Sequence, residues 1–135
     1  MYKKTMTFTD FNGNERTETF WFNLTEAEVV EMENGVSGGL TNMLENIVAA
    51  QDRTAIIDTF KNLILKAYGV KTADGRGFDK SPEVVKAFAD TQAYSDLFME
   101  LSLDSKAASE FFNGILPMAK SGKPKNSTEV VTVVN

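Results

Sequence analysis

The side chains that could perform chemistry in this sequence are carboxylates and hydroxyls, because it contains neither histidine nor cysteine. Histidine is the commonest general base and metal ligand, and without cysteine there are no disulfides, catalytic thiolates or thiolate zinc sites. Ser37, Ser81 and Ser95 have no histidine to activate them, and no Ser-x-x-Lys pattern occurs. The sequence therefore predicts no catalytic residue, no cofactor and no metal site, and we expect a protein that is not an enzyme.

Two groups of carboxylates remain as candidates for acid–base or metal chemistry. The segment Asp74–Asp79, with Glu83 beyond it, lacks the oxygen spacing of a calcium loop and the third glycine of a dinucleotide loop. We interpret it as part of a plain connecting loop that runs from Val70 to Lys80. Paired-acid catalysis needs a carboxylate desolvated in a cleft. The second group consists of four glutamates in one predicted helix: Glu26, Glu28, Glu31 and Glu33. We interpret Glu26 and Glu28 as first-turn residues that complement the helix dipole, and the others as part of a solvated face.

Composition limits the classes of partner. The chain has 135 residues, which is the usual size of one domain, and a formal net charge of −5. That charge argues against nucleic-acid binding, which requires a surplus of lysine and arginine. We therefore assign the aromatic residues near the N-terminus to core or partner packing rather than to base stacking. No apolar run approaches the ~20 residues that span a bilayer, and the first residues lack the apolar core of a signal peptide. The default expectation is a cytosolic protein.

The N-terminal residues 2–23 have the alternation of a β-hairpin, with Asn12-Gly13 as its tight turn. On the return strand, Trp21 shares a face with two threonines, whereas Phe20 and Phe22 take the opposite face. An isolated hairpin is marginally stable in water. We therefore expect this hairpin to pack on the helices that follow it, to pair with another strand, or to do both.

Residues 25–117 have the pattern of about five or six short helices. Thr25 and Glu28 form a capping box, and Asp52, Ser81, Thr91 and Asp104 are the other predicted N-caps. The widest apolar stripe predicts a central helix over Asp52–Gly69, ended by its glycine, with these core residues: Ile56, Ile57, Phe60, Leu63, Ile64, Ala67 and Tyr68. A shorter stripe begins at Leu40. The predicted fold class is thus α+β, with a single domain over residues 1–117.

Residues 118–135 change character and are predicted to form a flexible tail. Lysine, serine, glycine, proline and asparagine dominate its first part, and the strand-prone segment Thr128–Val134 follows.

Several blocks of sequence, in order, resemble a family. They include Asn23–Glu28 followed by Gly38-Gly39-Leu40, then Ile64–Gly69 followed by Asp74–Phe78 and Lys80-Ser81-Pro82, and finally Thr91–Ser95, Leu97–Leu101 and Phe111–Pro117. Together these blocks resemble the tail assembly chaperones of siphophages that infect Gram-positive bacteria. The resemblance covers about residues 2–117 and weakens in the tail.

The resemblance implies a non-enzymatic helper of tail assembly in the host cell cytoplasm, which is not expected in the mature virion. Members of such families are thought to bind the tape measure protein, keep it soluble and help to recruit tail tube protein. Many exist in a short form and a longer, frameshifted form, which would be a further partner. A homo-oligomer is left open, and neither nucleic acid nor membrane is an expected partner.

The residues predicted to bind a partner are aromatic: Phe20, Trp21, Phe22, Tyr68, Phe98, Phe111 and Phe112. The alternative hypothesis is a structural virion protein, a tail or head–tail connector component. Its Thr128–Val134 segment would assemble by adding a strand to a sheet edge.

Overall fold

The computed structural model describes residues 1–33 and 39–117. Ser37, the predicted flexible tail and its strand-prone segment lie outside the described residues, as do the side chains of the apolar stripe that begins at Leu40. The elements in chain order are β1 (Tyr2–Thr9), β2 (Glu15–Phe22), α1 (Glu26–Glu33), α2 (Gly39–Ala50), α3 (Arg53–Ala67), β3 (Tyr68–Lys71), β4 (Phe78–Asp79), α4 (Pro82–Ala89), α5 (Gln92–Leu103) and α6 (Ser105–Ile115). The predicted α+β class is confirmed. The single-domain boundary at residue 117 stays a prediction.

The N-terminal hairpin is confirmed, with β1 and β2 antiparallel over their full length. Gly13 takes a φ of +85°, which a tight turn requires and glycine adopts at little cost. The Asp10 carboxylate secures this turn by accepting hydrogen bonds from the backbone N–H groups of Asn12 and Asn14 at 3.0 and 2.9 Å. The local signals of the sequence were therefore sufficient to predict this element.

The hairpin separates a polar face from an apolar one. On the outer face, cross-strand hydroxyl pairs form between Thr5 and Thr19 at 2.9 Å and between Thr7 and Thr17 at 2.8 Å. On the inner face, apolar side chains of both strands are buried against the helices: Met6, Phe8, Phe20 and Phe22. The predicted separation of Trp21 from Phe20 and Phe22 is confirmed by the register.

The prediction that Val70 to Lys80 is a plain loop is wrong. Tyr68–Lys71 forms β3, which pairs with the end of β2 and then with the short strand β4, so the sheet order is β1-β2-β3-β4. Gly69 does not cap α3 but lies within β3. A Cβ atom added to Gly69 would lie 2.7 Å from the Phe78 ring. The glycine is therefore needed because an aromatic ring packs directly on the backbone, an interaction between residues that sequence periodicity does not reveal.

The predicted N-caps are confirmed. The Asp52 carboxylate accepts from the N–H of Ala55 at 3.1 Å, and Asp104 accepts from two first-turn N–H groups of α6. Ser81 and Thr91 cap α4 and α5. Helix α3 is less buried than its stripe predicts, however. Its last turns are in the core, whereas Ile57 in its first half is 41% exposed.

The core is a cluster of aromatic rings between the sheet and the helices. Phe22 has no exposed surface and lies within 6.3 Å, between ring centroids, of Tyr2, Tyr68, Phe88 and Phe111. Tyr68 stacks on Phe88 with their centroids 4.2 Å apart. Each pair contributes about 0.5–1.5 kcal/mol beyond the burial of its area. This cluster holds β2, β3, α4 and α6 together.

Gly114 allows α6 to approach β1 closely, because a Cβ atom there would lie 2.6 Å from Cδ1 of Tyr2. Helix propensity alone would make Gly114→Ala stabilising by about 1 kcal/mol. We expect instead a loss of about 1–3 kcal/mol in the free energy of unfolding, because overpacking displaces Tyr2. Urea unfolding checks this, with the exposed Ser109→Ala of the same helix as control. A gain in stability would contradict the expectation.

Candidate interaction surfaces

The seven aromatic residues predicted to bind a partner are not brought to one surface. Four of them are core residues with exposed fractions of 9% or less: Phe20, Phe22, Tyr68 and Phe111. Their rings pack on one another and on Phe88, so in this fold they stabilise the domain and offer no area to a partner. Phe98 and Phe112 are partly buried against the core on the helical side. Trp21 lies apart from the other six, on the outer face of the sheet.

Trp21 is flanked by a lysine from each neighbouring strand. Lys3 is its cross-strand neighbour on β1, with Nζ 5.7 Å from the ring centroid, and Lys71 of β3 places Nζ 3.8 Å from it. Ammonium groups at these distances are attracted to the negative face of an aromatic ring. Two positive charges therefore accompany this indole on a chain whose formal net charge is −5.

Phe78 joins Trp21 on the same face. Trp21 is paired with Gly69, and Lys71, two residues further along β3, is paired with Phe78. Alternation along the strands therefore puts these four positions on the outer face: Trp21, Gly69, Lys71 and Phe78. The Phe78 ring is half-buried over Gly69. We name Lys3, Trp21, Lys71 and Phe78 the outer aromatic patch.

A notch in the sheet adjoins this patch. β2 and β3 pair only at Trp21 with Gly69 and at Phe22 with Tyr68. Beyond this point β3 pairs with β4, and a cavity of about 270 Å³ opens beside Thr19, Trp21 and Val70. The notch gives a partner side chain access to the edge of the indole. Sequence reasoning missed Lys71 and Phe78 because it treated this segment as a loop.

Large apolar side chains are also exposed on the helices. The exposed fractions are 66% for Val30 of α1, 41% for Ile57 of α3, and 49% and 78% for Met99 and Leu103 of α5. Single exposed apolar residues are normal on soluble proteins. Met99 and Leu103, however, are one helical turn apart and so lie on the same side of α5.

A polar clip holds α1 against the segment that precedes α4. Lys80 Nζ donates to both carboxylate oxygens of Glu28 at 2.8 Å and to the backbone carbonyl of Asn23 at 2.7 Å. The predicted capping box is confirmed in the same place: the N–H of Thr25 donates to Glu28 Oε1 at 2.9 Å, and the N–H of Glu28 donates to Thr25 Oγ1 at 3.2 Å. Glu28 therefore caps its own helix and anchors a distant segment.

The surroundings of Glu28 set its pKa. Partial burial by itself raises the pKa of this carboxyl, but the hydrogen bond from Lys80, that from the Thr25 backbone and the charge of Lys80 outweigh it, and the pKa falls below its ordinary value of 4.5. A carboxyl with a lowered folded-state pKa stabilises the protein above its unfolded-state pKa. That stabilisation disappears as the pH falls through the folded-state value.

Glu28→Gln is expected to lower the free energy of unfolding at pH 7 by about 1–2 kcal/mol, because Lys80 loses its charged acceptor. Below about pH 4.5 the difference from the wild type should shrink, because the carboxyl is then protonated in the unfolded wild-type chain, and it should disappear once the pH falls below the lowered folded-state pKa. Urea unfolding at pH 7 and at pH 3 measures both effects, with the exposed Glu31→Gln as control. A difference that is constant over this pH range would contradict the assignment.

Among residues 1–33 and 39–117, no group of three or more metal-ligating side chains occurs, and no helix is long and apolar enough to cross a membrane.

Comparison with known proteins bears on the family of this chain. Neither a curated protein nor a solved structure shows significant similarity to the chain. A family model described as phage tail assembly chaperone, in contrast, matches residues 1–131. Because that match covers nearly the whole sequence, the chain belongs to the phage tail assembly chaperone family.

Proposed function

We propose that this chaperone binds the tape measure protein of its phage in the host cytoplasm, keeps it soluble and assists assembly of the tail tube around it, without a catalytic step. Family membership supports the chaperone role. The observation that carries the choice of surface is the outer aromatic patch. It leaves an indole and a phenyl ring half-buried outside the core, next to a notch, on a face that no described helix covers.

The chemistry of the patch indicates what it would recognise. Tryptophan is enriched among the few residues that contribute most of the binding energy in protein interfaces. Lys3 and Lys71 add local positive charge, which favours a partner segment with both apolar and acidic side chains. A long amphipathic helix that exposes an apolar stripe bordered by acidic residues would satisfy both requirements. We propose that the tape measure protein supplies such a segment.

Co-expression is the direct test. The tape measure protein of the same phage is produced in the host with and without the chaperone, and its soluble fraction is measured. We expect a soluble complex only when the chaperone is present. If the soluble fraction is unchanged while the chaperone itself is folded, the tape measure proposal is wrong.

The proposal also includes release. We propose that tail tube protein and a longer frameshifted form of the chaperone join the assembly, and that the chaperone is absent from the finished particle. Mass spectrometry of purified virions separates this from the alternative of a structural tail or connector component. Many copies per particle would support the structural component, and absence would support the chaperone.

A further inference from the structure

β1 is at the edge of the sheet, with β2 on one side of it. In an antiparallel pair, every second residue turns its N–H and C=O away from the partner strand. Half of the eight residues of β1 therefore direct their backbone groups towards the free edge, where the described residues contribute no further strand. Long open edges bind other strands, and proteins commonly cover or blunt them.

Helix α5 lies beneath this edge and exposes apolar side chains there. Lys4 of β1 donates to Glu100 of α5 at 2.7 Å, which fixes the side of the helix that faces the strand. At 3.6 residues per turn, Leu103 lies roughly 60° further round α5 than Glu100, on the side away from the buried Leu101. Leu103 is 78% exposed and Met99, one turn away, is 49% exposed. A strand added beside β1 would lie above these two side chains.

The chain leaves the described fold at the start of β1. Gly114 packs against Tyr2, and the carbonyl of Ile115 accepts a hydrogen bond from the N–H of Leu24 at 2.8 Å. Pro117, the last described residue of this segment, follows Ile115 by two positions and so lies within about 7 Å of this end of the sheet. A segment that continues from this point along the free edge runs in the same direction as β1.

The sequence of the last residues matches the edge in pattern and charge. Residues 128–134 read Thr-Glu-Val-Val-Thr-Val-Val, and their odd-numbered positions are Glu129, Val131 and Val133. The inward positions of β1 are Lys4, Met6 and Phe8, in the same order and with the same spacing of two. A parallel register therefore places an acid beside Lys4 and two valines beside two buried apolar residues.

We propose that Thr128–Val134 pairs as a parallel strand with the free edge of β1 in the same molecule, with Glu129 beside Lys4, Val131 beside Met6 and Val133 beside Phe8. A slip of one residue would exchange the two faces and move Glu129 to the threonine-rich outer face, losing the match.

The length of the connecting segment favours this direction and the same molecule. To pair antiparallel, the segment would first have to run along the whole length of β1 and then turn back. That length is about 27 Å for eight residues at ~3.4 Å per residue. Residues 118–127 span at most about 36 Å when fully extended, so that path is nearly taut. The parallel path needs only a short turn. A segment tethered this closely has an effective concentration on the order of millimolar, which favours its own edge over that of a second copy.

Disulfide trapping tests the register, and the chain offers a clean background because it has no cysteine. In the proposed register, Thr7 and Thr132 are neighbours on the outer face. We expect Thr7→Cys/Thr132→Cys to form an intramolecular disulfide under mild oxidation. The matched control, Thr7→Cys/Val131→Cys, should not, because its Cβ atoms point to opposite faces. Equal trapping in both pairs, no trapping in either, or a disulfide between two copies would each overturn the proposal.

Hydrogen exchange provides a second measurement on the full chain. Val131→Asp/Val133→Asp changes no residue of the described core, so the domain should fold. We expect the edge-facing amides of β1 to exchange on the order of tenfold faster in this variant, whereas the amides of α6 keep their wild-type rates. Unchanged exchange in β1 would overturn the proposal. Neither experiment depends on the tape measure protein, so either proposal can fail without the other.

Discussion

Phe22→Ala is expected to cost about 3–5 kcal/mol of the free energy of unfolding, a large part of the 5–15 kcal/mol that stabilises a typical domain. Phe22 has no exposed surface, and its ring contacts the rings of Tyr2, Tyr68, Phe88 and Phe111. Removing it leaves a cavity where the sheet meets α4 and α6. Urea unfolding followed by circular dichroism measures the loss, and a partly unfolded variant at 37 °C would agree with it.

The matched control is Phe11→Ala in the hairpin turn. Phe11 is 79% exposed, so its removal should change the free energy of unfolding by less than about 0.5 kcal/mol. The same substitution type thus separates a core ring from a surface ring. If Phe22→Ala cost no more than Phe11→Ala, the aromatic cluster would not be the centre of the fold.

The elements that the sequence predicted correctly are those with local signals. Asn12-Gly13 forms its turn because glycine at position 13 supplies the positive φ, and the capping box forms because Thr25 and Glu28 are three residues apart. Asp52 and Asp104 cap their helices for the same reason. In each case the interacting groups lie within a few residues of one another, so spacing alone contains the information.

The features that the sequence did not predict depend on contacts between distant residues. β3 forms because Tyr68 and Gly69 pair with Phe22 and Trp21, more than forty positions earlier. Gly69 had the pattern of a helix end, and only the Phe78 ring packed on it explains why it lies in a strand. Likewise, Lys80 meets Glu28 across a separation of 52 residues.

The prediction of partner residues was also limited by the lack of information on contacts between distant residues. Alternation correctly placed Phe20 and Phe22 opposite Trp21, but it did not say which face the helices cover. A signal was present: the Trp21 face carries Thr17 and Thr19, and the Phe20 face continues from Met6 and Phe8 across the hairpin. A threonine-rich face is the one expected to meet solvent. Weighing the two faces together would have selected Trp21 and removed Phe20 and Phe22.

The open edge of β1 distinguishes the chaperone hypothesis from the hypothesis of a structural virion component. A structural component would use that edge to add a strand from a neighbour, whereas the proposed pairing with Thr128–Val134 would occupy it within one molecule. An occupied edge leaves the outer aromatic patch as the surface for a partner. The register test therefore also bears on how the protein avoids assembling with itself.

Trp21→Ala is expected to weaken binding of the tape measure protein by about 30-fold or more in Kd, the equivalent of ~2 kcal/mol, while the domain stays folded. The indole is half-buried between Lys3 and Lys71 and outside the aromatic core. Its loss therefore removes contact area from the outer face without opening a cavity among the buried rings. Titration of the purified chaperone with a soluble tape measure fragment measures the Kd, and circular dichroism checks the fold.

Two controls make the Trp21 result interpretable, because loss of binding also follows from unfolding. Thr7→Ala lies on the same outer face, away from the outer aromatic patch, and should leave Kd within about twofold, since contacts outside such an anchor are close to neutral. Phe22→Ala should lose binding and stability together, whereas Trp21→Ala should lose binding alone. If Trp21→Ala binds as the wild type does, the partner surface lies elsewhere and the assignment of the outer aromatic patch is wrong.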